Sequence, residues 1–446
     1  MENKAIEPSF EILMNWAAPF SPCLTEEDMT LGDMSIKING QCFTRNVSTV
    51  INSLRETIRV SSYPLALWFI EYWWRILYEP IPSGEQIEMS YNWKNSHNLA
   101  SANCGYIWPD IKFIPDGQFI TIISTPQYDN SRMPFFYLGM DEAAVVDNET
   151  FCNAITKFIF STINRLDEKG DKSTELHSLF AQLENEIKDE DFALYRRIEA
   201  ILGYDPDQAP DVVIQKMEKA LKKFSVDNLA EIASACSTNE TSNTIKDIES
   251  AISMTTTGIK GKWNSPISDI KINNRLPAWD AGRLIARRLR AALGNTNKKI
   301  ETRTLCEFFE IPTKELSIRQ PSHDRFSISH VTNENLYINF KNESSQFYTV
   351  GRRFQLSRLI GSILAKQCEK IFISSDSKTY SQKLQRAFAA EFLAPIDEVK
   401  NFVEPNVTNE TVKKAATHFS VSPRTIAHSL TNNGVISKFK LNDLSF

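Results

Sequence analysis

Between residues 146 and 237 the chain carries five consecutive segments that read as amphipathic helices, and this run limits the choice of fold more than any other feature. "NETFCNAITKFIFSTINRL", "STELHSLFAQLENEI", "DEDFALYRRIEAIL", "APDVVIQKMEKALKKF" and "SVDNLAEIASACS" each repeat apolar residues at three and four spacing. Asp191, Asp211 and Ser225 are expected N-terminal caps, and Gly203 to Asp207 interrupts the run. Short connections favour antiparallel neighbours, so a small helical bundle is predicted over 146–237.

The flanks differ. Residues 1–145 mix strand and helix signals. "MSIKINGQCFT" predicts a strand turning at Asn39-Gly40, and Pro115-Asp116-Gly117 separates two strand-like runs, predicting a hairpin. "YPLALWFIEYWWRIL", from Tyr63, predicts a buried amphipathic helix. Trp68, Trp73, Trp74, Trp93 and Trp108 cluster around it as a dense aromatic core, or less expectedly a stacking groove. Residues 238–274 are rich in Ser, Thr and Asn and are expected to form a linker. The strong helix "WDAGRLIARRLRAALG" opens a last domain over 275–446, which holds two strand candidates in "RFSISHVTNENLYINF". The expected class is therefore α+β: a Trp-rich mixed N-terminal domain (1–145), a helical middle (146–237), a linker (238–274) and a mainly helical C-terminal domain with a small sheet.

Composition removes several functions. The 446 residues carry a net charge of -5, which argues against a generally basic nucleic-acid coat but leaves a local basic face open. No apolar run reaches the roughly 18 to 20 residues that span a bilayer, and "MENKAIEPSF" lacks a signal peptide's basic start and apolar core. A cytoplasmic protein without membrane contact is expected. The seven cysteines are scattered with no C-x-x-C pair, as for reduced thiols. Phosphate-cradling glycine motifs and the G-x-S-x-G turn are absent, so no cofactor is expected.

In "YTVGRRFQLSRLIGSILAKQ" the apolar residues Leu356, Leu359, Ile360, Ile363 and Leu364 recur at helical spacing. This stretch, Arg353-Phe354-x-Leu356-Ser357-Arg358-x-x-Gly361-Ser362, and the later "RAFAAEFLAP" resemble two helices of the ImmA/IrrE metallopeptidase-like family. "ENLYINF" resembles that family's preceding strand, and "VKKAATHFSVSPRTIAHSL" its closing helices. The likeness covers roughly residues 275 to 440 and implies a zincin-like fold there.

It also implies a lost active site. Such a peptidase needs two histidines four apart on one helix, a glutamate beside the first to activate water, and a third ligand from another helix. By the resemblance these positions fall on Arg358, Ser362, Leu359 and Leu384. A guanidinium stays protonated and repels a cation, and leucine offers no lone pair. No metal is expected. His323, His330, His418 and His428 lack ligand spacing for a relocated site. Arg358 is expected to be buried against a carboxylate, with Glu391 the leading candidate.

The implied role is a non-catalytic regulatory or scaffold protein that binds a protein partner, in a mobile-element, phage-defence or stress-response setting. Two alternatives stay open. One is a metallopeptidase with a non-standard site. The other is a DNA-binding transcriptional regulator, since the tail also has a helix-turn-helix pattern. Its outward candidates are Arg424, Thr425, His428 and Ser429, with Lys413 and Lys414 toward phosphates. The preferred expectation is that this segment is structural and that any DNA binding is weak, salt-sensitive and unselective.

Overall fold

The computed structural model describes residues 9–18, 25–81, 91–102, 105–127, 133–235, 241–267, 276–317, 323–342, 348–366 and 368–437. The fold is α+β, and the chain divides into two compact units, Met1–Glu218 and Lys219–Phe446. Among the described residues no helix is long and apolar enough to cross a membrane.

The N-terminal unit runs β1 (Phe10–Trp16), α1 (Glu26–Met29), β2 (Leu31–Ile38), β3 (Gln41–Cys42), β4 (Asn46–Ser48), β5 (Ser53–Arg55) and β6 (Ile58–Ser61). It continues through α2 (Tyr63–Glu71), α3 (Trp73–Tyr78), α4 (Tyr91–His97), β7 (Ile111–Pro115), β8 (Phe119–Ser124), β9 (Phe135–Tyr137) and β10 (Ala144–Asp147). The helices α5 (Asn148–Glu168), α6 (Glu175–Lys188) and α7 (Glu190–Ile201) follow, and α8 (Asp211–Leu221) runs across the boundary.

Both expected turns are present. Asn39 and Gly40 take φ of 50° and 77°, the pair of positive values that a two-residue hairpin turn requires. At the other, the Asp116 carboxylate accepts from Phe119 N at 2.8 Å and closes the β7–β8 hairpin. "YPLALWFIEYWWRIL" forms two helices broken at Tyr72 rather than one, and nearly every position is buried. A helix apolar on all sides belongs in a core. Trp68, Trp73, Trp74, Trp93 and Trp108 are all interior, so the aromatic cluster is a core and not an open groove.

The middle region is not a separate bundle. Phe151, Ile155, Phe158, Ile159, Leu176, Phe180 and Leu183 from α5 and α6 join the same core as β1, β2 and the tryptophans. Their apolar stripes find a sheet to cover, which buries more surface than a bundle of short helices provides. The cap of α7 is Asp189, two residues before the expected Asp191, and it accepts from Asp191 N and Phe192 N.

The C-terminal unit contains α9 (Val226–Ala235), α10 (Thr241–Met254), β11 (Ile259–Gly261), α11 (Ala278–Ala292), α12 (Thr302–Glu307), β12 (Phe326–Val331) and β13 (Leu336–Asn339). It ends with α13 (Tyr348–Ala365), β14 (Ile371–Ser375), α14 (Tyr380–Leu393), α15 (Ile396–Val403), α16 (Asn409–Phe419) and α17 (Pro423–Asn432). One antiparallel sheet has the order β11-β13-β12-β14.

The expected linker is corrected here. Residues 241–254 are helical and 259–261 are a strand of this sheet. The polar composition masked the spacing of Ile245, Ile248 and Ala251, which are buried along one face of α10. The Asn339 amide fixes the joint by donating to Met254 O and Thr257 O, both at 2.7 Å. The remaining parts of the expected linker, 238–240 and 268–274, lie outside the described residues.

In the N-terminal unit, Arg196 is 2% exposed and bonds Glu186 at 2.8 Å, Glu199 at 2.8 Å and Asp207 at 2.9 Å. Trp74 Nε1 donates to Glu186 from the aromatic core at 2.9 Å. Removing the guanidinium strands two buried carboxylates, so Arg196→Met is expected to destabilise the protein by about 3 to 5 kcal/mol. Urea denaturation monitored by tryptophan fluorescence measures this directly.

Candidate functional site

The helix α13 lies against α14, and α14 against α11, at close range. A Cβ on Gly361 would fall 2.6 Å from the Phe388 ring, and one on Gly282 would fall 2.5 Å from Leu384 O. Glycine at both positions lets the three helices approach closely. Arg353, the first residue of the family-like frame, is buried and bonds Ile300 O at 2.7 Å, Thr302 Oγ1 at 2.6 Å and Ser420 O at 3.3 Å. Its role is to clamp α13 to the segment entering α12 and to the turn between α16 and α17.

The four positions to which the resemblance assigns zinc chemistry are all interior: Arg358 is 6% exposed, Leu359 4%, Ser362 3% and Leu384 5%. Two of them, Arg358 and Ser362, belong to a hydrogen-bonded network, and the two leucines pack as core residues. The Arg358 guanidinium donates to Ser375 O at 2.7 Å and also to the Gln382 amide oxygen. That oxygen takes a second bond from Ser375 N at 2.8 Å. The Gln382 amide nitrogen donates to Ile373 O at 2.9 Å and to Glu231 at 2.8 Å. Gln385 donates to Ser362 Oγ at 3.3 Å and to Ile373 O at 2.9 Å, and accepts from Ser374 Oγ at 2.7 Å.

Glu391 does not serve Arg358. Its carboxylate takes Arg287 Nε at 2.7 Å and Ile396 N at 3.2 Å. Arg287 stands on α11, whose packing against α14 brings that guanidinium to Glu391, whereas Arg358 is directed at the end of β14. Sequence reasoning missed Gln382, Gln385 and Glu231. The available signal was a pair of glutamines three apart flanking Leu384 on an otherwise apolar stripe, since buried amides need partners.

Glu231 is the unusual charge. It projects from α9 to the first turn of α14, where the Thr379 hydroxyl lies 2.7 and 2.8 Å from its two oxygens. Burial pushes this carboxyl above its ordinary range, against the opposing effects of Lys366, Thr379 and Gln382. Asp376 goes the other way. Burial raises it, but the hydrogen bond and charge of Lys341, with the charges of Arg358 and Arg386, hold it below the usual value.

The histidines do not converge. His323 rests on Phe326 and pairs with Asp247 at 3.3 Å, His330 bonds Thr255 O at 3.0 Å, and His418 packs on Phe402 and Phe419. Among the described residues no group of three or more His, Cys, Asp or Glu side chains is placed to hold a metal ion. In the N-terminal unit Ser96 Oγ lies 2.8 Å from His97 Nδ1, a spacing suited to nucleophilic chemistry. Both side chains are wholly buried, and burial drives the imidazole down to about 3. His97 is a neutral core group stacked on Trp93 at 4.0 Å, closed to any substrate.

In the tail, α16 and α17 are joined by a turn in which Ser420 takes φ of 54°. Arg424 and His428 are exposed, with Arg424 Nε 3.3 Å from His428 Nε2. Thr425 is half-buried, with its hydroxyl 2.9 Å from the capping Ser422 Oγ. Ser429, expected to face outward, is buried.

Comparison with protein-family models, curated proteins and solved structures gives no match to this chain.

Because Glu231 binds a proton more tightly folded than unfolded, its contribution to stability is greatest at low pH. It is lost as pH rises from the ordinary glutamate value, about 4.5, through the raised folded value. Glu231→Gln is therefore expected to gain on the parent protein as pH increases. Melting curves at about pH 5 and about pH 8 test this: the variant-minus-parent difference in Tm moves upward at the higher pH. A difference that stays constant or moves downward contradicts the assignment.

Proposed function

We propose that this chain is a non-catalytic regulatory or scaffold protein. In this reading its C-terminal unit keeps a metallopeptidase-like frame and uses it to bind a protein partner. The single observation that supports the reading is that Arg358 and Ser362, two positions where the resemblance assigns metal chemistry, are taken up in hydrogen bonds with Gln382 and Gln385. A zinc ion needs lone pairs converging on an open space, and here a protonated guanidinium occupies the centre. The partner belongs, by the same resemblance, to a mobile-element, phage-defence or stress-response system.

Co-expression with the products of neighbouring genes tests the reading. The expected result is a complex that survives gel filtration at moderate salt and is indifferent to a chelator. Elemental analysis is expected to find no stoichiometric transition metal in the purified chain. About one zinc per chain, removed by a chelator together with peptide hydrolysis, contradicts the reading and favours the metallopeptidase with a non-standard site.

A further inference from the structure

The net charge of -5 conceals a strong division. Met1–Glu218 holds 17 Lys and Arg against 33 Asp and Glu, a net of -16, whereas Lys219–Phe446 holds 33 against 22, a net of +11. A basic unit of this size attracts polyanions. Part of the excess is concentrated around Arg386 of α14, which lies between the loop joining β14 to α14 and the helix α17. Arg358 and Arg386 both donate to one carbonyl oxygen, Ser375 O, at 2.7 and 3.3 Å, and Arg386 also bonds Ser377 O at 2.7 Å. Arg386 and Arg424 both act on His428, and Lys378 is exposed on the same loop. The carboxylates acting on Arg386 are Asp376, which Lys341 engages, and the buried Glu231.

We propose that the face formed by α17 and the β14–α14 loop binds the phosphate backbone of duplex nucleic acid, through Arg424, Lys378 and Arg386. The geometry suits a duplex. Two helices of 11 and 10 residues are joined by a short turn, and the second exposes Arg424 in its first turn. Anionic membrane is the poorer fit, because among the described residues α16 and α17 expose no large apolar side chain to enter lipid. The exposed part of the face offers one arginine and little else for base edges, so the contact positions the protein without reading sequence. This surface stands independently of the protein-binding role.

Fluorescence anisotropy of the full chain with a labelled mixed-sequence duplex of about 30 base pairs, from about 50 to about 300 mM NaCl, tests the proposal. The expected plot of log affinity against log salt has a slope of about -3, as for three neutralised phosphates. The double variant Arg424→Glu, Lys378→Glu is expected to bind at least about tenfold more weakly, with a slope near -1. Should the reversals disturb folding, seen as a changed thermal midpoint, Arg424→Gln with Lys378→Gln is expected to give a smaller loss in the same direction. Lys260→Glu with Lys262→Glu, at the opposite edge of the sheet, is expected to leave binding unchanged. The proposal is overturned by absence of binding at the lowest salt, by an equal loss in the Lys260 and Lys262 variant, or by binding to phosphatidylserine-rich vesicles without binding to the duplex.

Discussion

A guanidinium keeps its proton throughout the physiological range, so Arg358, buried in the α13–α14 packing, imposes its charge on everything around it. The surroundings answer with dipoles. Ser375 O and the Gln382 amide oxygen accept from it, Gln382 in turn holds Ile373 O and Glu231, and Gln385 repeats the pattern beside Ser362. The end of β14, the first turn of α14 and the middle of α13 are thereby tied through side-chain amides. Glu231 adds α9 to the same assembly from a distant part of the sequence. A partly satisfied network of this kind is worse than an apolar core, so each of these hydrogen bonds matters to the packing.

The N-terminal unit uses the same device with formal charges. Arg196 gathers Glu186, Glu199 and Asp207, while Arg75, fully buried, bonds Glu79 at 2.8 Å and Asp205 at 2.7 Å. Both arginines come from helices, and each fixes the Gly203–Asp207 break by holding one of its two aspartates. A segment that reads as a mere interruption of helix is therefore anchored at two points.

The parts legible in the sequence were those whose physics is local. Asn39-Gly40 and Pro115-Asp116-Gly117 encode turns because only certain residues tolerate those dihedrals, and α13 and α14 follow from apolar spacing. Partners distant in sequence were not legible. Glu391 pairs with Arg287 across 104 positions, and no local rule distinguishes that choice from Arg358. In the α10–β11 segment the polar composition hides the spacing of three buried residues, Ile245, Ile248 and Ala251. The division of charge was present in the sequence throughout, but it needed the boundary near residue 218 before the two halves could be counted apart.

The place of β11 bears on how this protein can be divided. It is an outer strand of the C-terminal sheet, pairing Ile259, Lys260 and Gly261 with Ile338, Tyr337 and Leu336. A fragment starting at residue 275, just before α11, lacks that strand and leaves the β13 edge bare. Uncovered edges of this kind recruit strands from other molecules. The C-terminal unit is therefore separable from the rest of the chain only if the cut falls well before Ile259, on the far side of α9 and α10, and a shorter piece invites self-association however well its remaining helices pack.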